Sequence, residues 1–304
     1  MSKDALPVCT AKGMRDGSLA DRMRAGPLLA LIEVHSGLSA KIAEQAGFEA
    51  LWASGLAISS LMGLRDSNEV SWSQMLTVIE WITDATKLPL LVDGDTGHGN
   101  FNNARRFAAK LARCGAAGIC LEDKLFPKTN SFRGSHQPLA EIEEFSGKIA
   151  AVKDATGSHS FAVVARTEAL VSQRSMAEAL DRAQAYREAG ADAILVHSKQ
   201  STDAQVIEFA RQWDGSCPLI VVPTTYPHTD PKALWEAGIS AVIWANHSIR
   251  ASSKAIAQAC RTLQTTGGST AVADQLTSLP DLFALLDYDE LEEAERRYLP
   301  ALIE

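Results

Sequence analysis

The sequence predicts an α/β fold of the (β/α)8 type, a TIM barrel, and three observations carry that reading. First, one phrase recurs four times: a helix-period run, then a glycine, then a short apolar strand three residues later. It is legible in IAEQAGFEALWAS (42–54), AAKLARCGAAGICLED (108–123), AQAYREAGADAILVHS (183–198) and ALWEAGISAVIWAN (233–246). Gly47, Gly115, Gly190 and Gly238 stand where a left-handed residue stops a helix. Second, the strands are nearly continuous in apolar residues, as in a parallel sheet covered on both faces. Third, eight such strands alternate with helical patterns in about the length that an eightfold barrel needs. A doubly wound open sheet is the competitor, but it carries G-x-G-x-x-G directly after its first strand. LLALIEVHSGLSA has none, and TGHGNFN after the third strand lacks the third glycine.

In chain order, residues 1–26 read as an irregular arm with a short helix. The barrel follows over 27–265, opening on LLALIEV (28–34) and continuing through the strand of the first recurring phrase to LPLLVD (88–93). GICLED closes the second phrase, and FAVVAR (161–166), AILVHS, PLIVVP (218–223) and AVIWAN supply the last four strands. Two strand-to-helix connections are long, 55–74 and 124–138. Residues 266–304 form a C-terminal helical segment, with apolar helical spacing in DLFALL and LEEAERRYL after a Gly and Thr break.

Composition narrows the function classes. A chain of 304 residues with 46% hydrophobic content can bury a large core, and its net charge of −8, without a basic run, argues against nucleic acid. A small anionic substrate needs only local cations. The five cysteines show no C-x-x-C spacing and are odd in number, so they read as reduced thiols in a cytoplasmic protein. Neither a signal-peptide core nor eighteen consecutive apolar residues occurs, so no membrane is expected.

In a barrel the residues just past each strand converge on one catalytic face. Here they are Glu33 and His35, Trp52 with Ser54 and Gly55, Asp93 and Asp95, Glu122 and Asp123, Arg166 and Glu168, His197, Thr224, and Asn246 with His247. Alone, D-G-D reads as a turn and E-D-K as a surface ion cluster. Together on neighbouring strands, Asp93, Asp95 and Glu122 supply only oxygen ligands, which match a hard dication such as Mg2+. Arg166 can grip a carboxylate or phosphate bidentately, and His197 can donate to the same anion. His98, in a glycine-flanked loop, is expected to have no fixed role. The connection 124–138 is too long for an ordinary loop and reads as a basic lid, carrying Lys124, Lys128 and Arg133. A basic lid over a metal-lined pocket suggests a phosphorylated or polycarboxylate substrate. The connection 55–74 can add one more carboxylate.

Through EDKLFPKTNSF, DGDTGHGNFNNARR, SGLAISSLMGLRDSNE and VVARTEAL, the sequence resembles the phosphoenolpyruvate mutase and isocitrate lyase superfamily over residues 28–263, most closely its mutase branch. The resemblance implies a Mg2+-dependent barrel whose last helix is exchanged between subunits of a homodimer or homotetramer. The implied reaction interconverts phosphoenolpyruvate and phosphonopyruvate by moving a phosphoryl group between oxygen and carbon of one substrate. It places the metal on Asp93, Asp95 and Glu122, and the substrate carboxylate near Ser54, Gly55 and Leu56 beside Trp52. Phosphoryl contacts fall on Arg166, His197 and Asn130, with Lys128 beside Asn130, and Asp66 lies close to the migrating phosphorus. The lyase branch carries K-x-C-G-H in its lid, where this chain has KTNSF, which argues against carbon–carbon cleavage. Phosphonopyruvate hydrolase, the nearest alternative, tends to have threonine at Asn130. A non-catalytic phosphoenolpyruvate sensor is the other alternative, and it has no need of the complete set. Gly94 and His98 depart from the alanine and tyrosine usual at those positions.

Overall fold

The computed structural model describes residues 17–131, 133, 138–157 and 160–300. Cys9, most of the expected arm and lid residues 132 and 134–137 therefore lie outside the described residues. Eight parallel strands close into a barrel in chain order. They are β1 (Leu29–Val34), β2 (Ala50–Ala53), β3 (Leu90–Asp93), β4 (Gly118–Glu122), β5 (Ala162–Thr167), β6 (Ala193–Val196), β7 (Leu219–Val221) and β8 (Ala241–Trp244). Gly47, Gly115, Gly190 and Gly238 all have positive φ, between 85° and 105°, so the expected helix stops are where the recurring phrase puts them.

Two apolar layers result from strand alternation. Leu31, Trp52, Leu91, Cys120, Val164, Leu195, Ile220 and Ile243 pack inside the barrel, while Val92, Ile119, Leu121, Val163, Ile194 and Val242 pack outward against the helices. That outer jacket comprises α2 (Gly37–Gln45), α4 (Trp72–Ala85), α5 (Phe101–Arg113), α6 (Ile142–Thr156), α7 (Met176–Glu188), α8 (Ala204–Gln212) and α9 (Pro231–Glu236). The short helix of the arm, α1 (Leu19–Ala25), belongs to the inner layer. Its Ser18–Asp21 capping box starts it, and Leu19, Ala20 and Met23 join the interior cluster with Leu29 and Leu31.

The connection 55–74 is not a plain loop. Ser54 Oγ accepts from Ala57 N at 3.3 Å and starts a short helix, α3 (Gly55–Leu61).

The chain divides into two compact units, Met1–Ile249 and Arg250–Glu304. The expected barrel end at 265 thus differs from the unit boundary. Helix α10 (His247–Thr266) has no buried residue. In the second unit α10 is followed by a 3-10 turn (Thr270–Gln275), α11 (Leu279–Leu285) and α12 (Tyr288–Tyr298), with the Phe283 and Tyr288 rings 4.7 Å apart. No helix of the described residues is long and apolar enough to cross a membrane.

Candidate active site

Alternation inside the barrel selects the side chains that reach the mouth. Asp93 follows Leu91, Glu122 follows Cys120, Arg166 follows Val164 and His197 follows Leu195, each two residues beyond an interior apolar residue and so on the same face. One cavity is lined by Trp52, Ser54, Leu56, Asp66, Asp93, Glu122, Lys128, Asn130, Arg166 and His197. Of the residues predicted for the site, Gly55 and Asp95 are not in its wall. Gly55 N donates to Asp93 Oδ2 at 3.2 Å, and a side chain there would press on Asp95 Oδ1 at 3.1 Å. Glycine is what lets α3 start against two carboxylates.

Asp95 is brought back over the mouth by backbone pairing. Gly94 N donates to Cys120 O at 2.8 Å, and Glu122 N donates to Asp95 O at 2.8 Å. At Gly94, the departure from alanine, an added Cβ would lie 2.7 Å from the Ile119 side chain, so glycine and Ile119 go together here.

The acids are held unequally. Lys128 Nζ lies 2.5 Å from Asp95 Oδ1 and 2.8 Å from Asp66 Oδ1, and Asn68 bridges, donating to Asp95 Oδ2 at 2.8 Å and accepting from Lys128 N at 2.7 Å. Asn130 Nδ2 donates to Asp66 Oδ2 at 2.6 Å. Burial pushes the Asp95 carboxyl up to about 7 against the pull of Lys128, with Asp93, Asp66 and Glu122 adding repulsion. Burial acts the same way on Asp66, but Lys128 and Asn130 outweigh it and hold that carboxyl below its ordinary range.

Among the described residues, no three His, Cys, Asp or Glu side chains are gathered closely enough to hold a metal ion as they stand. The donor chemistry nevertheless fits a hard dication. All three acids offer oxygen alone, and Glu122 Oε1 is buried with no hydrogen-bond partner.

On the neighbouring strand β5, Arg166 Nε donates to Glu168 Oε1 at 2.5 Å and lies 3.4 Å from Glu122 Oε2. His197 Nδ1 is 2.8 Å from Glu168 Oε1 and 2.9 Å from Arg166 Nη2. Burial, and then Arg166, lower the His197 pKa, which favours the neutral ring. A neutral ring donating Nδ1–H to Glu168 has no lone pair for the guanidinium, so one Arg166 Nη2 proton, the other going to Ser131 Oγ at 3.0 Å, remains available to an anion.

Sequence reasoning put several residues at the mouth without giving them a role. Glu168, two residues past Arg166, is fully buried and serves both Arg166 and His197. Thr224 and Asn246, also at strand ends, line the cavity with Thr224 Oγ1 and Asn246 Oδ1 buried and unpaired. His98 does have a fixed place, contrary to expectation: its ring meets Phe107 edge-on at 5.1 Å, and burial, aided by Lys128, pushes its pKa down to about 4. Glu33 and His35, by contrast, serve structure. The Glu33 carboxylate accepts from Ser248 N at 3.0 Å and Ile249 N at 3.1 Å at the start of α10, and lies 2.6 Å from His35 Nδ1. Four of the non-glycine residues with positive φ, Asn68, Asp95, His98 and Asn246, cluster at this mouth. Such conformations cost about 1–3 kcal/mol each and persist where neighbours over-determine them.

Comparison with known proteins gives the constellation its relatives. The family model for phosphoenolpyruvate phosphomutase matches residues 19–264. The chain is 52% identical over 272 residues to phosphoenolpyruvate phosphomutase of Streptomyces hygroscopicus, covering 89% of this chain and 87% of the relative. The crystal structure of phosphoenolpyruvate phosphomutase from Streptomyces platensis subsp. rosaceus superposes with a TM-score of 0.91 at 38% identity, covering 93% of this chain and 98% of that one. Phosphonopyruvate hydrolase in complex with oxalate and Mg++ superposes with a TM-score of 0.87 at 37% identity, covering 93% and 98%. Barrel, rim acids and full-length similarity agree: the chain belongs to the phosphoenolpyruvate phosphomutase family.

Proposed function

We propose that this chain is a Mg2+-dependent phosphoenolpyruvate phosphomutase, interconverting phosphoenolpyruvate and phosphonopyruvate within one active site. The observation that carries the reading is that carboxylates and anion-binding groups line one cavity: Asp93, Glu122 and Asp66 together with Arg166 and His197. Asp93, Asp95 and Glu122 would hold Mg2+, as donor chemistry and the orphaned Glu122 oxygen support. When bound, Mg2+ would supply positive charge to the oxygen that gains negative charge as the phosphoryl group leaves it.

The chain's own residues do the positioning. Arg166 and His197 grip the phosphoryl oxygens, and Ser54 and Leu56 take the carboxylate end beside Trp52. Asp66, kept ionised by Lys128 and Asn130, stands by the phosphorus and steers the transfer. Segment 124–131 covers the mouth and excludes water, which would otherwise take the phosphoryl group and make phosphate.

Phosphorus NMR of the purified protein with phosphonopyruvate and Mg2+ tests this. Growth of the phosphoenolpyruvate signal is expected; free phosphate as the sole product would assign the chain to the hydrolase, and no change would sink both readings. Asn130 rather than threonine, with the 52% identity to a mutase against 39% to the hydrolase of Variovorax, favours the first outcome.

A homo-oligomer with exchanged last helices is part of the same reading, supported by exposed Ile256 and Leu263 on α10. Light scattering on the purified protein would show twice or four times 32.6 kDa. The free thiols of Cys114, Cys120, Cys217 and Cys260 suit a reducing cytoplasm.

A further inference from the structure

We infer that Glu168 is a positioning residue that makes the seating of segment 125–131 and the aim of Arg166 a single event. The inference takes from the proposed function only the identity of the anion Arg166 receives; the coupling itself stands on geometry.

Three buried groups form a closed circuit. Lys124 Nζ donates to Thr129 O at 3.1 Å and Ser131 Oγ at 2.6 Å, and lies 3.1 Å from Glu168 Oε2. Ser131 Oγ donates to Glu168 Oε2 at 2.7 Å and accepts from Arg166 Nη2 at 3.0 Å. Glu168 Oε1 takes Arg166 Nε and His197 Nδ1. An ammonium has three protons, a hydroxyl one proton and two lone pairs, and a carboxylate about four acceptor sites. Every one of these is used. Ser131 has nothing left to give a substrate, so its hydroxyl acts through Glu168 and Arg166 rather than by touching the reactants.

The circuit is anchored from behind, which is why it can transmit. Asp123 Oδ1 accepts from Glu168 N at 2.8 Å, and Asp123 Oδ2 is held by Tyr186 Oη at 2.7 Å and Arg182 Nη1 at 3.3 Å. With its backbone fixed, Glu168 can answer a change at Ser131 only by turning its carboxylate, and that carboxylate sets the Arg166 guanidinium. Leaving Glu168 Oε2 short of a donor in a fully buried place is costly, so the arrangement has little tolerance for a half-seated segment.

The test uses the whole protein without ligand, so a failed activity assay cannot be confused with a failed coupling. The Arg166 Nε–H resonance and the hydrogen exchange of amides 125–131 are followed in wild type, Ser131→Ala, Ser131→Thr and Glu168→Gln. Expected is a displaced Arg166 signal in Ser131→Ala, with exchange of the segment about tenfold faster in Ser131→Ala and Glu168→Gln, and return toward wild type in Ser131→Thr. If Glu168→Gln does not fold, Glu168→Asp, which keeps the charge and shortens its reach, takes its place, because Ser131 also touches Arg166 directly. An Arg166 signal unmoved by Ser131→Ala, or segment exchange unaltered there, overturns the proposal even if thermal stability falls. Absence of phosphonopyruvate turnover in wild type would count against the proposed function and leave these readouts standing.

Discussion

The two ends of the barrel are filled in opposite ways. At the bottom, α1 inserts Leu19, Ala20 and Met23 among interior apolar residues, with each of the three no more than 2% exposed. At the top, the same inward-facing register carries Asp93, Glu122, Arg166 and His197, and the groups are bonded into networks. Burial at the bottom stabilises directly, since each fully buried apolar side chain contributes about 1.5–3 kcal/mol. At the top, buried charges stay tolerable only because each finds a partner, and their worth lies in what they do to an anion. Floor and roof should therefore separate cleanly under substitution, one moving stability and the other moving rate.

The largest separation is expected at Asp66. Asp66→Ala removes the acid that faces Lys128 and Asn130, and turnover should fall about a thousandfold or more in a barrel that still folds; near-normal rates would remove Asp66 from the chemistry. Asp93→Ala is expected to lower kcat about a hundredfold, with excess Mg2+ failing to restore it. Undiminished wild-type rates in a strong chelator would contradict any metal requirement. At the floor, Met23→Ala should cost about 2–5 kcal/mol in urea unfolding and leave kcat/KM alone; a rate loss there would mean that floor and roof are coupled.

The smallest effect is a pH slope. His98 is pushed down to about 4 from an ordinary 6.5, so the folded protein binds fewer protons than the unfolded chain between those values. Its stability is complete above pH 6.5 and lost as pH falls toward 4. His98→Asn, which keeps a residue suited to φ 55°, should flatten that part of the stability profile. An identical acid slope in both proteins would assign the loss to other groups.

How much of this the sequence discloses follows from the range of the interactions. Strands and rim residues are legible because period two and a glycine stop are local, and they deliver Asp93, Glu122, Arg166 and His197 to one face without knowledge of the fold. The linking residues are not. Asn68 meets Asp95 and Lys128 across 27 and 60 positions, and Asn130 meets Asp66 across 64. Nothing in a strand's periodicity encodes such a docking. His98 was misread because glycines flank it, whereas its ring is fixed by Phe107 on α5. The helical start at Gly55 was hidden by the same fact that explains it, a serine cap serving a helix of only seven residues.

Alternation of wall and lumen along each stave has an evolutionary corollary. Single letters at the upper lumen positions can be exchanged while the wall keeps its own residues, so new chemistry is reachable by substitution. A one-residue insertion within β4 would instead turn Glu122 toward the jacket and Leu121 toward the substrate, losing both at once. Descendants of this chain should therefore keep stave length, and vary in length at connections other than the two that carry Asp66 and Lys128.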